Sequence, residues 1–323
     1  MKAVTCRGVG GVEVLDITDL PEPVPRADEL LVRNFATALN RADLLQRRGL
    51  YPPPAGESEV LGLEFAGEVA AFGAEVEGFS VGDRVFGLIA GGGYAEFVTV
   101  QHKLAVRIPD QLSYDAAAAV PEAFYTAGDV LFSLGELKSG ETVVVHAAAS
   151  GVGTAAVQLA CTAGARVVAT AGTPQKLELC KQLGAEVAVN YREQDFAGVT
   201  QEAYGGADVV LDLVGASHFE QNMRVLREGG RLLVIGLVSG SEVELNLAAV
   251  LKRRLRIVGS TMRNRTLGEK IEVTSRFLDR DLPRFVSGEL KPLIDRVFPL
   301  EEVRAAHQRM EQNENAGKIV LRM

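Results

Sequence analysis

Residues 146–156, His-Ala-Ala-Ala-Ser-Gly-Val-Gly-Thr-Ala-Ala, carry the spacing Gly-x-Gly-x-x-Ala at Gly151, Gly153 and Ala156. That spacing can bind a pyrophosphate. Glycines let the backbone turn tightly and let a phosphate approach a helix start, where free N–H groups and the dipole favour an anion. Ala156 is small enough for the helix to pack close to a sheet. A glycine turn alone also fits a plain strand-to-helix connection. Here the apolar run Thr142–Val145 precedes the loop and a second run, Arg166–Thr170, follows the helix, which is the context a dinucleotide fingerprint requires. Ser150, Gly151, Val152 and Gly153 are the cofactor-binding residues this implies.

The end of the second run favours NADP(H) over NAD. A carboxylate usually sits there to bind the ribose hydroxyls. This chain reads Ala169-Thr170-Ala171-Gly172-Thr173, with no acid. Thr173 has the character of an N-cap and Pro174 that of a first helical residue, which puts Lys176 in the first turn. A cation there opposes the helix dipole unless an anion sits in front of it. A solvated surface lysine is the plain alternative. Tyr191, just after a third apolar run, fits the same phosphate or ordinary packing on a sheet.

Metal chemistry finds no support. Cys6, Cys161 and Cys180 are far apart and form no C-x-x-C pair, and His102, His146, His218 and His307 are scattered. Zinc needs such ligands in a close constellation.

The elements that must position these residues change character along the chain. The first 120 residues read as short strands, with Leu30–Val32 and Val98–Val100 among them. Pro- and Gly-rich turns separate them, which predicts a compact barrel-like domain. From Glu141 apolar strands alternate with helices: Thr142–Val145, Arg166–Thr170, Val187–Asn190, Asp208–Leu211, Arg231–Ile235 and Arg256–Val258. That rhythm predicts a doubly wound parallel sheet. Beyond Lys291 the pattern predicts a strand from Pro292 to Phe298, an amphipathic helix over Leu300–Asn313 and a strand over Lys318–Leu321. The expected organisation is a β-rich domain over 1–120, a dinucleotide domain over 121–262, and a return to the first domain over 263–323.

Composition agrees. The chain has 323 residues, 47% hydrophobic and 24% charged, with a net charge of −8. The negative balance argues against nucleic acid as the main partner. Lys252-Arg253-Arg254-Leu255-Arg256 is the only dense basic run, and RNA binding or NADPH sensing is the alternative of another class. No apolar run approaches the ~20 residues of a membrane span, and no signal peptide is expected. Three scattered cysteines fit a reducing, cytoplasmic address.

Four stretches together resemble a known family: Leu39-Asn40-Arg41-Ala42-Asp43, Leu61-Gly62-Leu63-Glu64-Phe65-Ala66-Gly67, Val81-Gly82-Asp83-Arg84-Val85 and Ser150-Gly151-Val152-Gly153. They resemble the medium-chain dehydrogenase/reductase superfamily, and within it the zinc-free quinone oxidoreductase branch that includes zeta-crystallin. Ala38–Leu44, Tyr51-Pro52-Pro53-Pro54, and His146 with Ser150–Thr154 look most like the tumour-suppressor-induced quinone oxidoreductase subgroup. The resemblance runs to Gly317-Lys318-Ile319-Val320. It implies α/β architecture: a GroES-like β-rich catalytic domain from both chain ends and a central Rossmann domain.

The resemblance also implies roles. Asn40 and Leu63 stand where zinc alcohol dehydrogenases carry cysteine and histidine ligands. Lys176 and Tyr191 match residues holding the 2′-phosphate. Asn40, Thr126 and the segment Gly236-Leu237-Val238 match residues near the nicotinamide, and Asn315 and Lys318 match a segment closing over the cofactor. Tyr51 and Ser150 match polar residues at the active cleft. The implied reaction is hydride transfer from NADPH to a small quinone or enone, with Tyr51, Ser150 and Asn40 as donors to the developing oxyanion. An alkenal or enoyl-thioester reductase is the alternative on the same fold. A homodimer joined through Arg256-Ile257-Val258-Gly259 is the expected assembly, because a two-fold partner covers an apolar sheet edge.

Overall fold

The computed structural model describes all 323 residues, Met1–Met323. They form two compact units, one made of Met1–Tyr125 with Met262–Met323 and the other of Thr126–Thr261.

The first unit opens with the antiparallel pair β1 (Lys2–Cys6) and β2 (Leu15–Asp19). Then come β3 (Glu29–Ala38), β4 (Glu64–Phe72), β5 (Arg84–Leu88), β6 (Phe97–Gln101) and β7 (Ala105–Arg107). β3 pairs antiparallel with β4 and β6, β4 with β5, and β5 with β7. Alternation along β3 turns Leu30 and Val32 inward, where they pack with Phe65, Val69, Val85 and Val98. Each such side chain contributes about 1.5–3 kcal/mol when fully buried. Residues just before the second unit, Pro121–Tyr125, form a wide π-type turn that periodicity did not reveal.

The second unit carries β8 (Thr142–Val145), β9 (Arg166–Ala171), β10 (Val187–Asn190), β11 (Ala207–Asp212), β12 (Leu226–Val234) and β13 (Arg256–Gly259). All neighbours are parallel, in the order β10-β9-β8-β11-β12-β13. Counted from β8 this is 3-2-1-4-5-6, the doubly wound dinucleotide order, and its switch point lies beside β8. All four residues of β8 are buried, as expected of a strand covered on both faces.

The last residues rejoin the first unit. β14 (Ile294–Pro299) runs parallel to β15 (Lys318–Arg322), and β15 pairs antiparallel with β3, Val320 opposite Ala38. A parallel pair needs a crossover, supplied here by the turn Leu300–Glu302 and the helix Val303–Glu311. The helix is thus shorter than the expected Leu300–Asn313.

Candidate active site

The loop after β8 is built by close backbone contact. Ser150 caps the helix Gly151–Thr162, its Oγ accepting from Gly153 N at 3.1 Å. Ala147 takes φ +46, a left-handed conformation unusual for a residue with a Cβ. Gly153 is required by space: an added Cβ would lie 2.3 Å from the Ala147 carbonyl oxygen. Ser150 therefore does cap the loop, and its hydroxyl hydrogen is still available as a donor.

Beneath the loop, His146 is fully buried. Its Nε2 lies 2.6 Å from Asn222 Oδ1, while Asn222 Nδ2 donates to Asp212 Oδ2 at 3.0 Å. Asn222 Oδ1 can only accept, so His146 Nε2 carries the proton. His146 Nδ1 then accepts from Thr170 Oγ1 at 2.9 Å. Burial lowers His146 to about 4, so the ring is neutral. The chain of bonds joins the ends of β9, β8 and β11, the edge where such sheets bind ligands.

At the end of β9 the expected N-cap is present: Thr173 Oγ1 accepts from Lys176 N at 3.4 Å, and Pro174 opens the helix Pro174–Gln182. Gly172 leaves room for what approaches it. A Cβ there would lie 2.9 Å from both Tyr191 Oη and Arg192 Nε. Tyr191 is also braced by the His218 ring, 5.1 Å away between centroids. Tyr191 and Arg192 thus close on a strand end that has no carboxylate, and Lys176 follows it in the first helical turn. Beyond β12, a Cβ on Gly236 would lie 2.6 Å from Leu213 O, while Leu237 and Val238 are exposed. Thr126 Oγ1 is buried with no hydrogen-bond partner.

The first unit gathers a second polar group where β3, β4 and β15 end. Asn40 and Asp43 form a capping box at the helix Arg41–Arg47. Asn40 Nδ2 donates to Glu64 Oε1 at 2.8 Å and to Ala38 O at 3.2 Å. Lys318 Nζ donates to Asn40 Oδ1 at 2.5 Å, Glu64 Oε1 at 2.7 Å and Leu39 O at 2.9 Å. A lysine has three donors, and all three are in use. Asp43 accepts from Asn40 N at 2.7 Å, Tyr94 Oη at 3.0 Å and Gly62 N at 3.1 Å. Burial nevertheless pushes its carboxyl up to about 6. Asn315 Nδ2 donates to Gly317 O at 2.9 Å. Tyr51 lies half-buried with the Arg263 guanidinium 5.5 Å from its ring centroid, and Arg263 Nη1 donates to its carbonyl at 3.1 Å.

Comparison with known proteins gives this geometry a family. Residues 26–110 match the alcohol dehydrogenase GroES-like domain, and residues 151–279 match the zinc-binding dehydrogenase family. Human quinone oxidoreductase is 30% identical over 326 residues, covering 99% of this chain and 97% of that protein. An NAD-dependent alcohol dehydrogenase structure superposes with a TM-score of 0.90 at 36% identity, each chain covered in full. The Escherichia coli quinone oxidoreductase complexed with NADPH gives a TM-score of 0.90 at 30% identity, again over 100% of both chains. The chain belongs to the quinone-oxidoreductase-like members of the medium-chain dehydrogenase/reductase superfamily.

The quinone-oxidoreductase-like chain carries no zinc donor set at these positions. Asn40 is committed to Glu64 and Lys318, Leu63 is a buried aliphatic residue, and no three His, Cys, Asp or Glu side chains group to hold a metal. The first unit is the GroES-like β-rich domain and the second the Rossmann domain.

Sequence reasoning did not single out Glu64, Glu122, Arg192 and Arg263, which lie beside the expected residues, the Glu122 N–H donating to Glu64 Oε2 at 2.9 Å. Two had a visible signal, a lone acid inside an apolar run: Leu61-Gly62-Leu63-Glu64-Phe65 and Ala119-Val120-Pro121-Glu122-Ala123. Arg263 and Arg192 carried none, because their partners lie far away in sequence or across a strand.

Proposed function

We propose that the chain reduces a small quinone or enone with NADPH, without zinc. The carrying observation is the end of β9, where Tyr191 Oη and Arg192 Nε close on Gly172, Lys176 follows in the first helical turn, and no carboxylate is present. A 2′-phosphate would place an anion in front of the first helical turn, where the helix dipole and the Arg192 guanidinium favour it. The residues fit the cofactor elsewhere too. Gly153 and Gly236 hold their loops close to neighbouring backbone, and the unpartnered Thr126 hydroxyl suits a nicotinamide amide. Ser150, Gly151 and Val152 would meet the pyrophosphate, and Leu237 and Val238 would flank the nicotinamide.

The bound nucleotide supplies the hydride. Tyr51 and Ser150 are the donors assigned to the oxygen on which charge develops, since preformed donors aimed at that oxygen lower the barrier. Asn40 and Lys318 have their donors committed around Glu64, so they position this group. Asn315 shapes the turn before β15.

Within its branch the chain is assigned to the tumour-suppressor-induced quinone oxidoreductase subgroup, on Ala38–Leu44 with Tyr51–Pro54 and His146 with Ser150–Thr154. The three free thiols support a reducing, cytoplasmic setting. β13 forms one edge of the six-stranded sheet with Ile257 exposed, and Leu247 and Leu251 are exposed nearby in sequence, which supports a homodimer through that edge. The basic run offers little to RNA. Arg253 donates to Met223 O and Leu226 O, Arg254 pairs with Glu228, and Arg256 pairs with Glu136.

The test is NADPH oxidation against quinones, enones, alkenals and enoyl thioesters. Turnover of quinones or enones is expected. Binding of NADPH without turnover of any acceptor would overturn the reading.

A further inference from the structure

Glu122, bonded through its N–H to the first-unit polar group, is an acid that the mechanism above does not use. It lies in the π-type turn Pro121–Tyr125, an irregularity that often marks functional positions. Its own N–H donates to Glu64 Oε2 at 2.9 Å, which brings its side chain near the Glu64 charge. Glu64 has taken the local cation, because Lys318 Nζ is 2.7 Å from its other oxygen. The Glu122 carboxyl has no hydrogen-bond partner of its own. Arg263 spends its guanidinium on neutral oxygens, Ala90 O at 2.7 Å, Tyr51 O at 3.1 Å and Gln46 Oε1 at 2.8 Å. A second carboxylate here would be an unpaired charge beside a like charge, so the neutral acid is the favoured form.

We propose that Glu122 is the acid of the acceptor site, holding a proton near Tyr51 and giving it to the oxygen of the reduced acceptor. This rests on the NADPH-reductase reading. The acceptor gains a hydride, and with it two electrons, from the reduced nicotinamide, which is oxidised. Negative charge then sits on the acceptor oxygen. The Glu122 O–H bond breaks, the new acceptor O–H bond forms, and the electron pair stays on the Glu122 carboxylate. Water reprotonates it before the next turnover. Tyr51 donates a hydrogen bond to the same oxygen.

The charged and titratable neighbours are Glu64 on β4, Lys318 on β15, Asp43, Arg263, Tyr51 and Lys270. Burial first and Glu64 second outweigh Lys318 and Arg263, pushing Glu122 up to about 8. Glu122 therefore keeps its proton at neutral pH and loses it as pH rises through about 8.

The experiment compares the full-length protein with Glu122→Gln, the neutral isostere of the protonated acid, and with Glu122→Asp. Wild-type turnover should fall above pH about 8, and Glu122→Gln should lose at least roughly tenfold in turnover, with that basic limb gone and NADPH affinity unchanged. Glu122→Asp should recover part of the turnover and shift the limb. Thermal unfolding gives a readout independent of activity. A carboxyl raised in the folded state stabilises at low pH and loses that contribution as pH rises through its folded value. Wild-type Tm should therefore drop relative to Glu122→Gln between the ordinary carboxylate range and about 8. Full turnover in Glu122→Gln, or a wild-type rate that is flat across the basic range, would overturn the proposal even if a variant misfolds. If no acceptor is turned over, the reductase reading fails by itself. A pH-independent Tm difference would still sink the proton on Glu122.

Discussion

Lys176 stands where a cation opposes the helix dipole, at a cost of about 0.3–1 kcal/mol without an anion in front of it. A 2′-phosphate bound there, as proposed, would reverse that sign. Lys176→Ala should weaken NADPH binding roughly tenfold to a hundredfold, the range of a hydrogen bond to a charged group, and leave NADH nearly unchanged. Equal loss for both nucleotides in a binding titration would make Lys176 structural. Tyr51→Phe and Ser150→Ala should lower turnover about tenfold to a hundredfold at unchanged NADPH affinity, because a donor to the oxyanion acts mainly in the transition state. Loss of affinity in step with turnover would move that residue to the nucleotide site. Lys318 invites a different expectation. Its ammonium is buried against Glu64, and removing one partner of such a pair leaves a buried charge unpaired. Lys318→Met should cost about 3–5 kcal/mol in denaturant unfolding. Unchanged stability with weakened NADPH binding would instead favour direct cofactor contact.

Elements hold these side chains by close approach more than by glycine flexibility. Gly153 lies inside the first turn of its helix, yet a Cβ would meet the Ala147 carbonyl at 2.3 Å. Both atoms belong to backbone, so neither can swing aside. Gly153→Ala should therefore displace the loop, cost about 1–3 kcal/mol and weaken nucleotide binding with it. A variant with wild-type Tm and affinity would show that the loop has slack. The wide turn Pro121–Tyr125 works in the same way, by putting a backbone N–H on the Glu64 carboxylate.

For the whole molecule, histidine titration and assembly can be measured directly. Burial holds His146 and His218 at about 4 and His307 at about 3. Bases lowered in the folded state stabilise it above their unfolded value near 6.5, and that contribution is lost as pH falls towards the folded value. Tm should fall as pH drops from about 6.5 to about 4, partly offset by Asp43 and Glu122, whose raised carboxyls act in the opposite direction. A Tm that rises steadily through that window would contradict the buried neutral histidines. The proposed dimer predicts twice the 34.5 kDa chain mass at micromolar concentration. A monomer there would mean that the β13 edge is protected in some other way.

Local pattern was enough for the dinucleotide half. Strand periodicity, the Gly151–Gly153 loop, the Thr173–Pro174 cap and the missing acid after β9 are all short-range features, and short-range sterics and hydrogen bonding decide them. The family could be read from four such stretches for the same reason. The polar group of the first unit could not be read that way. Asn40, Glu64, Glu122, Arg263 and Lys318 meet because β15 pairs with β3 in one register and Glu122 sits in an irregular turn. No periodicity encodes that pairing. The protonation of Glu122 depends on which carboxylate receives the lysine, and only tertiary structure decides that, because charge compensation in a buried site is set by distance in space.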